Sequence, residues 1–84
     1  MPTVLTIGPY RFFFVSLDSP EPPHVHVQRE RMVAKFWLDP VALERPGGFK
    51  SHELTTVHRL VDTHRDFFLE RWNEHFGRGT GGEG

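Results

Sequence analysis

The sequence predicts an α+β fold, a small antiparallel sheet of about four strands packed on one long C-terminal helix. Three observations predict it. The first half holds short runs of β-branched and aromatic residues separated by turn residues. From His52 to about Phe76 the apolar residues recur at helical spacing. Between these two patterns lies Arg45-Pro46-Gly47-Gly48, which reads as a loop. The chain has 84 residues, the length of one domain. That domain is read as residues 1–77, and the glycine-rich 78–84 as a disordered tail.

Thr3 to Ile7 reads as a first strand, with Leu5 and Ile7 on one face. Gly8-Pro9 is a turn signal. Arg11-Phe12-Phe13-Phe14-Val15-Ser16 follows as a second strand that is apolar on both sides, Phe12 and Phe14 against Phe13 and Val15. Leu17 to Pro23 is a polar, proline-rich loop. The third strand runs from His24 to about Gln28, and Arg29-Glu30-Arg31 makes a charged turn without the Asn-Gly or Asp-Gly of the best hairpins. The fourth strand, Met32 to Leu38, places Ala34, Phe36 and Leu38 in the core and turns Val33, Lys35 and Trp37 away. Asp39-Pro40 ends it. Val41-Ala42-Leu43 reads either as a brief extra strand or as one helical turn.

Ser51 is read as the N-cap of a continuous helix from His52 to Phe76, with Glu53 at the positive end of its dipole. The capping box is incomplete, because Leu54 stands where Glu or Gln is wanted. Gly77 suits the C′ stop. Leu54, Val57, Val61, His64, Phe68 and Trp72 make one stripe, widened by Leu60, Phe67, Leu69 and Phe76. Asp62, Asp66, Glu70 and Glu74 form an acidic ridge on the other side, read as solvated. A single helix covers one sheet face. The other face, carrying His24, His26, Lys35, Trp37 and one side of the second strand, is expected to stay open.

Composition narrows the function classes. The formal net charge is −1, which argues against broad, charge-driven binding of nucleic acid. There is no cysteine, hence no disulfide framework and no thiolate zinc site. No apolar run approaches the ~20 residues that span a bilayer. The N-terminus lacks the charged start and apolar stretch of a secretory signal. A cytoplasmic protein without membrane contact is expected.

One stretch hints at chemistry. In Pro22-Pro23-His24-Val25-His26-Val27 the prolines stiffen an extended backbone. Strand alternation then sends both valines to the core and both imidazoles to the other face. Three readings follow. As catalysts, His24 and His26 flank a phosphodiester as general acid and base, with Lys35 or Arg11 steadying the developing charge. As metal ligands, they need a third donor from Asp18 or Glu21. As structural groups, they cap a turn or bond a neighbouring strand.

Arg29, Arg31 and Lys35 are expected to form a basic cluster around the third turn, and with Arg11, Phe13 and Trp37 they are candidate contacts for RNA, by stacking and phosphate pairing. The preferred reading is an ordinary charged hairpin with an aromatic face for a partner or a homodimer. His64, on the helix stripe, reads as a buried histidine satisfied by a neighbour. His52, His58 and His75 read as half exposed.

The order Ile7-Gly8-Pro9-Tyr10-Arg11-Phe12-Phe13-Phe14, Pro22 to Val27, Ala34-Lys35-Phe36-Trp37-Leu38 and Trp72-Asn73-Glu74-His75-Phe76 resembles a family of small bacterial proteins. That family is catalogued as a domain of unknown function and recognised by the Pro-Pro-His-Val-His-Val signature. The resemblance spans residue 1 to about 77; the glycine-rich tail departs from it. Members are often encoded beside a second small protein. The resemblance therefore implies a component of a toxin–antitoxin-like module with a cognate small protein partner; with the histidine pair, RNA becomes the expected target of a ribonuclease-type toxin. The resemblance brings no catalytic residues. The catalytic expectation, His24, His26 and Lys35, comes from the residues alone, and they name no cofactor. The alternatives are a non-enzymatic interaction module and a histidine-based metal-binding domain.

Overall fold

A computed structural model describes residues 3–15 and 21–76. Ser16, Leu17, Asp18, Gly77 and the tail lie outside the described residues. The elements run β1 (Thr3–Ile7), β2 (Tyr10–Phe13), β3 (His24–Arg29), β4 (Met32–Leu38), β5 (Val41–Arg45), α1 (Ser51–Thr63) and α2 (Arg65–Phe76). The strands form one sheet in chain order, β1-β2-β3-β4-β5, with every neighbouring pair antiparallel. This is the expected α+β class. It differs in having a fifth strand and a divided helix.

Alternation along each strand sets the two faces. Phe12 pairs with Val27 and Val27 with Ala34, while Val25 pairs with Phe36 and Phe36 with Leu43. Phe12, Phe14, Val25, Val27, Ala34, Phe36 and Leu38 are buried on one face against Val57, Val61, Phe68 and Trp72 of the helices. Leu5, Ile7, Leu54, Leu60, Leu69 and Phe76 pack around that core, half buried. Phe67 does not join it. It stays 36% exposed, with the Arg71 guanidinium 5.4 Å from its ring centre.

The fifth strand resolves Val41-Ala42-Leu43 in favour of extended backbone. Asp39-Pro40 makes a tight turn rather than an exit, so Leu38 and Val41 pair across it. The helix divides at His64, whose φ of −104° and ψ of 17° leave the helical region. The His64 ring Nδ1 donates to the Leu60 carbonyl at 2.9 Å, the backbone partner expected of it. The next residue explains the break. Arg65 Nε donates to the Leu38 carbonyl at 2.9 Å and its Nη2 meets Asp39 at 2.9 Å, which ties the start of α2 to the β4–β5 turn.

The cap also moves by one residue. Lys50, not Ser51, is the N-cap, in extended geometry and with no side-chain capping bond. Its carbonyl accepts from Glu53 N at 3.0 Å and Leu54 N at 2.9 Å. Phe49, buried in the loop before α1, and Leu54 thus occupy the N′ and N4 places of a hydrophobic staple. Glu53 falls at N3, and its carboxylate serves a tertiary cluster instead. It accepts from the Tyr10 hydroxyl at 2.8 Å and pairs with Arg29 at 3.3 Å. The loop ahead of Phe49 crosses β4 so closely that a Cβ at Gly47 would lie 1.8 Å from the Val33 carbonyl oxygen. Only glycine passes there, and it does so at φ +62°.

Candidate functional site

The alternation that buries the valines gathers the chemistry on the opposite face. Arg11 pairs with Gln28, Phe13 with His26, His26 with Lys35 and His24 with Trp37. Cross-strand partners point the same way. Arg11, Phe13, His24, His26, Lys35 and Trp37 therefore alternate to the side opposite Val25 and Val27, but at the His24 end that side is covered by Trp72 of α2 rather than left open. Arg29 does not share that side. It sits on the core side of β3, paired with Glu53. Arg31 is exposed in the β3–β4 turn. The expected basic cluster of Arg29, Arg31 and Lys35 is thus divided between two faces and a turn.

The shared face is built as a ladder of rings and cations. The Arg11 guanidinium lies 4.4 Å from the Phe13 ring centre. The His26 ring stacks on Phe13 at 5.3 Å and 20°. His24 stands edge-on to His26 at 5.3 Å and to Trp37 at 5.5 Å. Lys35 Nζ lies 4.8 Å from the Trp37 ring centre. Such cation–ring contacts each contribute about 0.5–1 kcal/mol at exposed sites and more when desolvated. At its ends, Arg11 donates to Gln28 at 3.3 Å and the Trp37 indole to Glu44 at 3.0 Å.

This face is less open than its polar sequence predicts. His24 is 0% exposed, and Lys35 and Phe13 are each 7% exposed. Local partners make the burial tolerable. His24 Nδ1 lies 2.9 Å from the Pro22 carbonyl. A carbonyl only accepts, so Nδ1 is the donor in this contact. Trp72 of α2 closes on the same ring at 5.1 Å. Glu21 Oε1 accepts from Lys35 Nζ at 2.7 Å and stands 3.7 Å from His24 Nδ1.

These contacts bear on the chemistry. The His24 ring has no exposed surface, whereas His26 is half-buried and the more accessible of the two. Lys35 is already paired with a carboxylate. Among the described residues no group of three or more His, Cys, Asp or Glu side chains is placed to hold a metal ion. Asp18, the other suggested third ligand, lies outside them. Two surface hollows lie elsewhere. One, of about 300 Å³, is lined by Thr3, Val4, Phe14, Arg71, Glu74 and His75. The other lies on α1 between Thr55, His58, Arg59 and Asp62.

A second cluster escaped the sequence reading. Tyr10, Glu53 and Arg29 join β2, β3 and α1. The Tyr10 hydroxyl pKa is raised above its usual 10, by burial first and then by the Glu53 hydrogen bond and charge, against a lowering by Arg29. Tyr10, Arg29 and Glu53 carried no signal for it in the sequence, because residues as far as 43 apart meet only in the fold.

Sheet, helices and ladder together define a small α+β domain with a cation–aromatic face on a meander sheet. The chain belongs to a family described as a domain of unknown function, DUF4160, whose model matches residues 10–73. That span runs from the start of β2 through Trp72 and so includes the whole ladder. No curated protein and no solved structure matched the chain. Among the described residues no helix is long and apolar enough to cross a membrane.

Proposed function

We propose that this protein is a binding component of a two-protein, toxin–antitoxin-like module and that the ladder is the face that holds its protein partner. One observation carries the reading. The cations of the ladder are laid on rings and Lys35 is matched by Glu21, so the face is aromatic and its buried charge is paired. Arginine and tryptophan anchors on a fixed scaffold suit a protein interface. A phosphate backbone needs free positive charge, and here Arg29 is spent on Glu53 and Lys35 on Glu21.

The test is a titration with the product of the adjacent gene. Trp37→Ala is expected to weaken that complex by at least about 2 kcal/mol, or roughly 30-fold, while the variant stays cooperatively folded at the temperature of the titration. Unchanged affinity would remove the ladder from the interface. The second reading is an RNA-cleaving toxin using His24, His26 and Lys35. Half-exposed His26, fixed between Phe13 and His24, favours it. Growth arrest by the wild type that a folded His26→Ala variant fails to produce would select it.

A further inference from the structure

We propose that Lys35 is the anchor for a carboxylate supplied by an acidic segment of the protein partner, and that Glu21 fills this place as an internal stand-in. The proposal rests on the reading of the ladder as a partner-binding face.

The geometry describes a built carboxylate site. Lys35 Nζ meets Glu21 Oε1 at 2.7 Å, and the lysine side chain is only 9% exposed, against 47% for that of Glu21. The cation therefore belongs to the sheet, while the anion comes from the segment ahead of β3 and stands half in solvent. Arg45 is the register partner of Lys35 across β4 and β5. The register shifts immediately beyond this pair; two cations this close in register repel, and an anion beside them offsets that repulsion. Glu21 shows that a carboxylate fits. Lys35 also lies against the Trp37 ring, so an incoming acidic side chain would find a charge and a flat apolar surface together. The face also carries Glu44, which disfavours a polyanion.

Exchange follows from this arrangement. While Glu21 occupies Lys35, an external carboxylate binds only to the fraction of molecules in which the internal pair is open. The apparent dissociation constant is raised by the reciprocal of that fraction. Replacing Glu21 by its neutral isostere removes the competitor and leaves Lys35 in place.

The probe is an acetylated, amidated Gly-Gly-Glu-Gly-Gly peptide carrying a single carboxylate, followed through the Trp37 indole and His26 ring signals by NMR. Glu21→Gln is expected to bind it about ten-fold or more tighter than wild type. Glu44→Gln removes equal charge from the same face and is expected to stay near the wild-type affinity. Glu21→Gln/Lys35→Met is expected to lose the gain. No gain in Glu21→Gln, an equal gain in Glu44→Gln, or displacement of the peptide by equimolar inorganic phosphate would overturn the proposal. Should Glu21→Gln fail to fold, wild type against Lys35→Met at high peptide concentration decides the matter: weak binding must vanish with the lysine. The two proposals fail separately. If Trp37→Ala abolishes binding of the adjacent gene product while the peptide series is flat, the carboxylate exchange is wrong and the partner face stands. If the peptide series behaves as expected and the gene product does not bind, the reverse holds.

Discussion

Tyr10 shows how one side chain can tie three elements and write its own pH dependence. Its hydroxyl donates to Glu53, Glu53 also holds Arg29, and the phenol ring tilts against Phe49 at 6.3 Å. Burial and the neighbouring carboxylate both oppose ionisation, so the folded-state pKa lies above the unfolded value of 10. The sign follows from proton linkage. Between the two pKa values the folded protein keeps a proton that the unfolded chain has lost, so stability falls as pH rises. The contribution is whole below pH ~10 and is lost as pH climbs through the raised folded value. Tyr10→Phe is expected to cost about 1 kcal/mol at neutral pH, the typical net worth of one hydrogen bond, with Glu53 still paired to Arg29. It should also flatten the decline in stability above pH ~10. Urea unfolding of both proteins at neutral and alkaline pH measures each part. An unchanged alkaline slope in the variant would assign that slope to other groups.

At the scale of elements, the strands were legible because one rule governs them. The alternation in His24-Val25-His26-Val27 and in Ala34-Lys35-Phe36-Trp37-Leu38 set both faces, and the pairs His24–Trp37, His26–Lys35 and Val25–Phe36 follow that alternation. β5 stayed ambiguous because three apolar residues carry no period of their own; pairing to β4 decides it. The division at His64 left no mark either, since the apolar stripe runs through it. Its cause is Arg65 reaching Leu38 and Asp39, a contact that exists only after folding. Both edge strands carry an irregularity, between Thr3 and Leu5 in β1 and between Leu43 and Arg45 in β5, a device that discourages edge-to-edge pairing. The β3–β4 hairpin explains the puzzling Arg29-Glu30-Arg31 turn. Arg29 pairs with Met32, so the loop is Glu30-Arg31, and among the described non-glycine residues Glu30 is the one with positive φ, +57°. Positive φ at the first loop position alone is the type II′ pattern, which favours glycine there. Glu30→Gly is therefore expected to stabilise the protein by up to about 1 kcal/mol, the left-handed penalty removed less the entropy that glycine adds. A higher urea midpoint with an unchanged slope would show it; a lower midpoint would mean that Glu30 makes a favourable contact outweighing its backbone strain.

Taken as a whole molecule, the two layers are not independent, and here the sequence was least informative. Residue type marked His24 and Lys35 as surface groups, yet both are buried, because Pro22 O, Glu21 and Trp72 surround them. Trp72 matters most in this respect. It belongs to the helix stripe and lies in the core, edge-on to Phe14 at 5.2 Å and against Phe76 at 4.2 Å. It also meets the His24 ring, which faces the other side of the sheet. One indole thus joins the hydrophobic core to the ladder. Phe68 is a natural control. It is fully buried and packs on Phe12 at 5.2 Å, within the core layer. Trp72→Leu and Phe68→Leu both remove aromatic volume from the same helix and should each cost about 1–4 kcal/mol in urea unfolding, somewhat less than truncation to alanine. Their effects on the ladder should differ. Trp72→Leu takes away one wall of His24, so the ring proton signals of His24 and His26 are expected to move and the Trp37-dependent complex to weaken. Phe68→Leu should leave those signals near their wild-type positions. Equal movement in both variants would mean that the ladder responds to core volume in general. Movement in Trp72→Leu alone would make this indole the link through which packing of the helices sets the geometry of the face the protein presents.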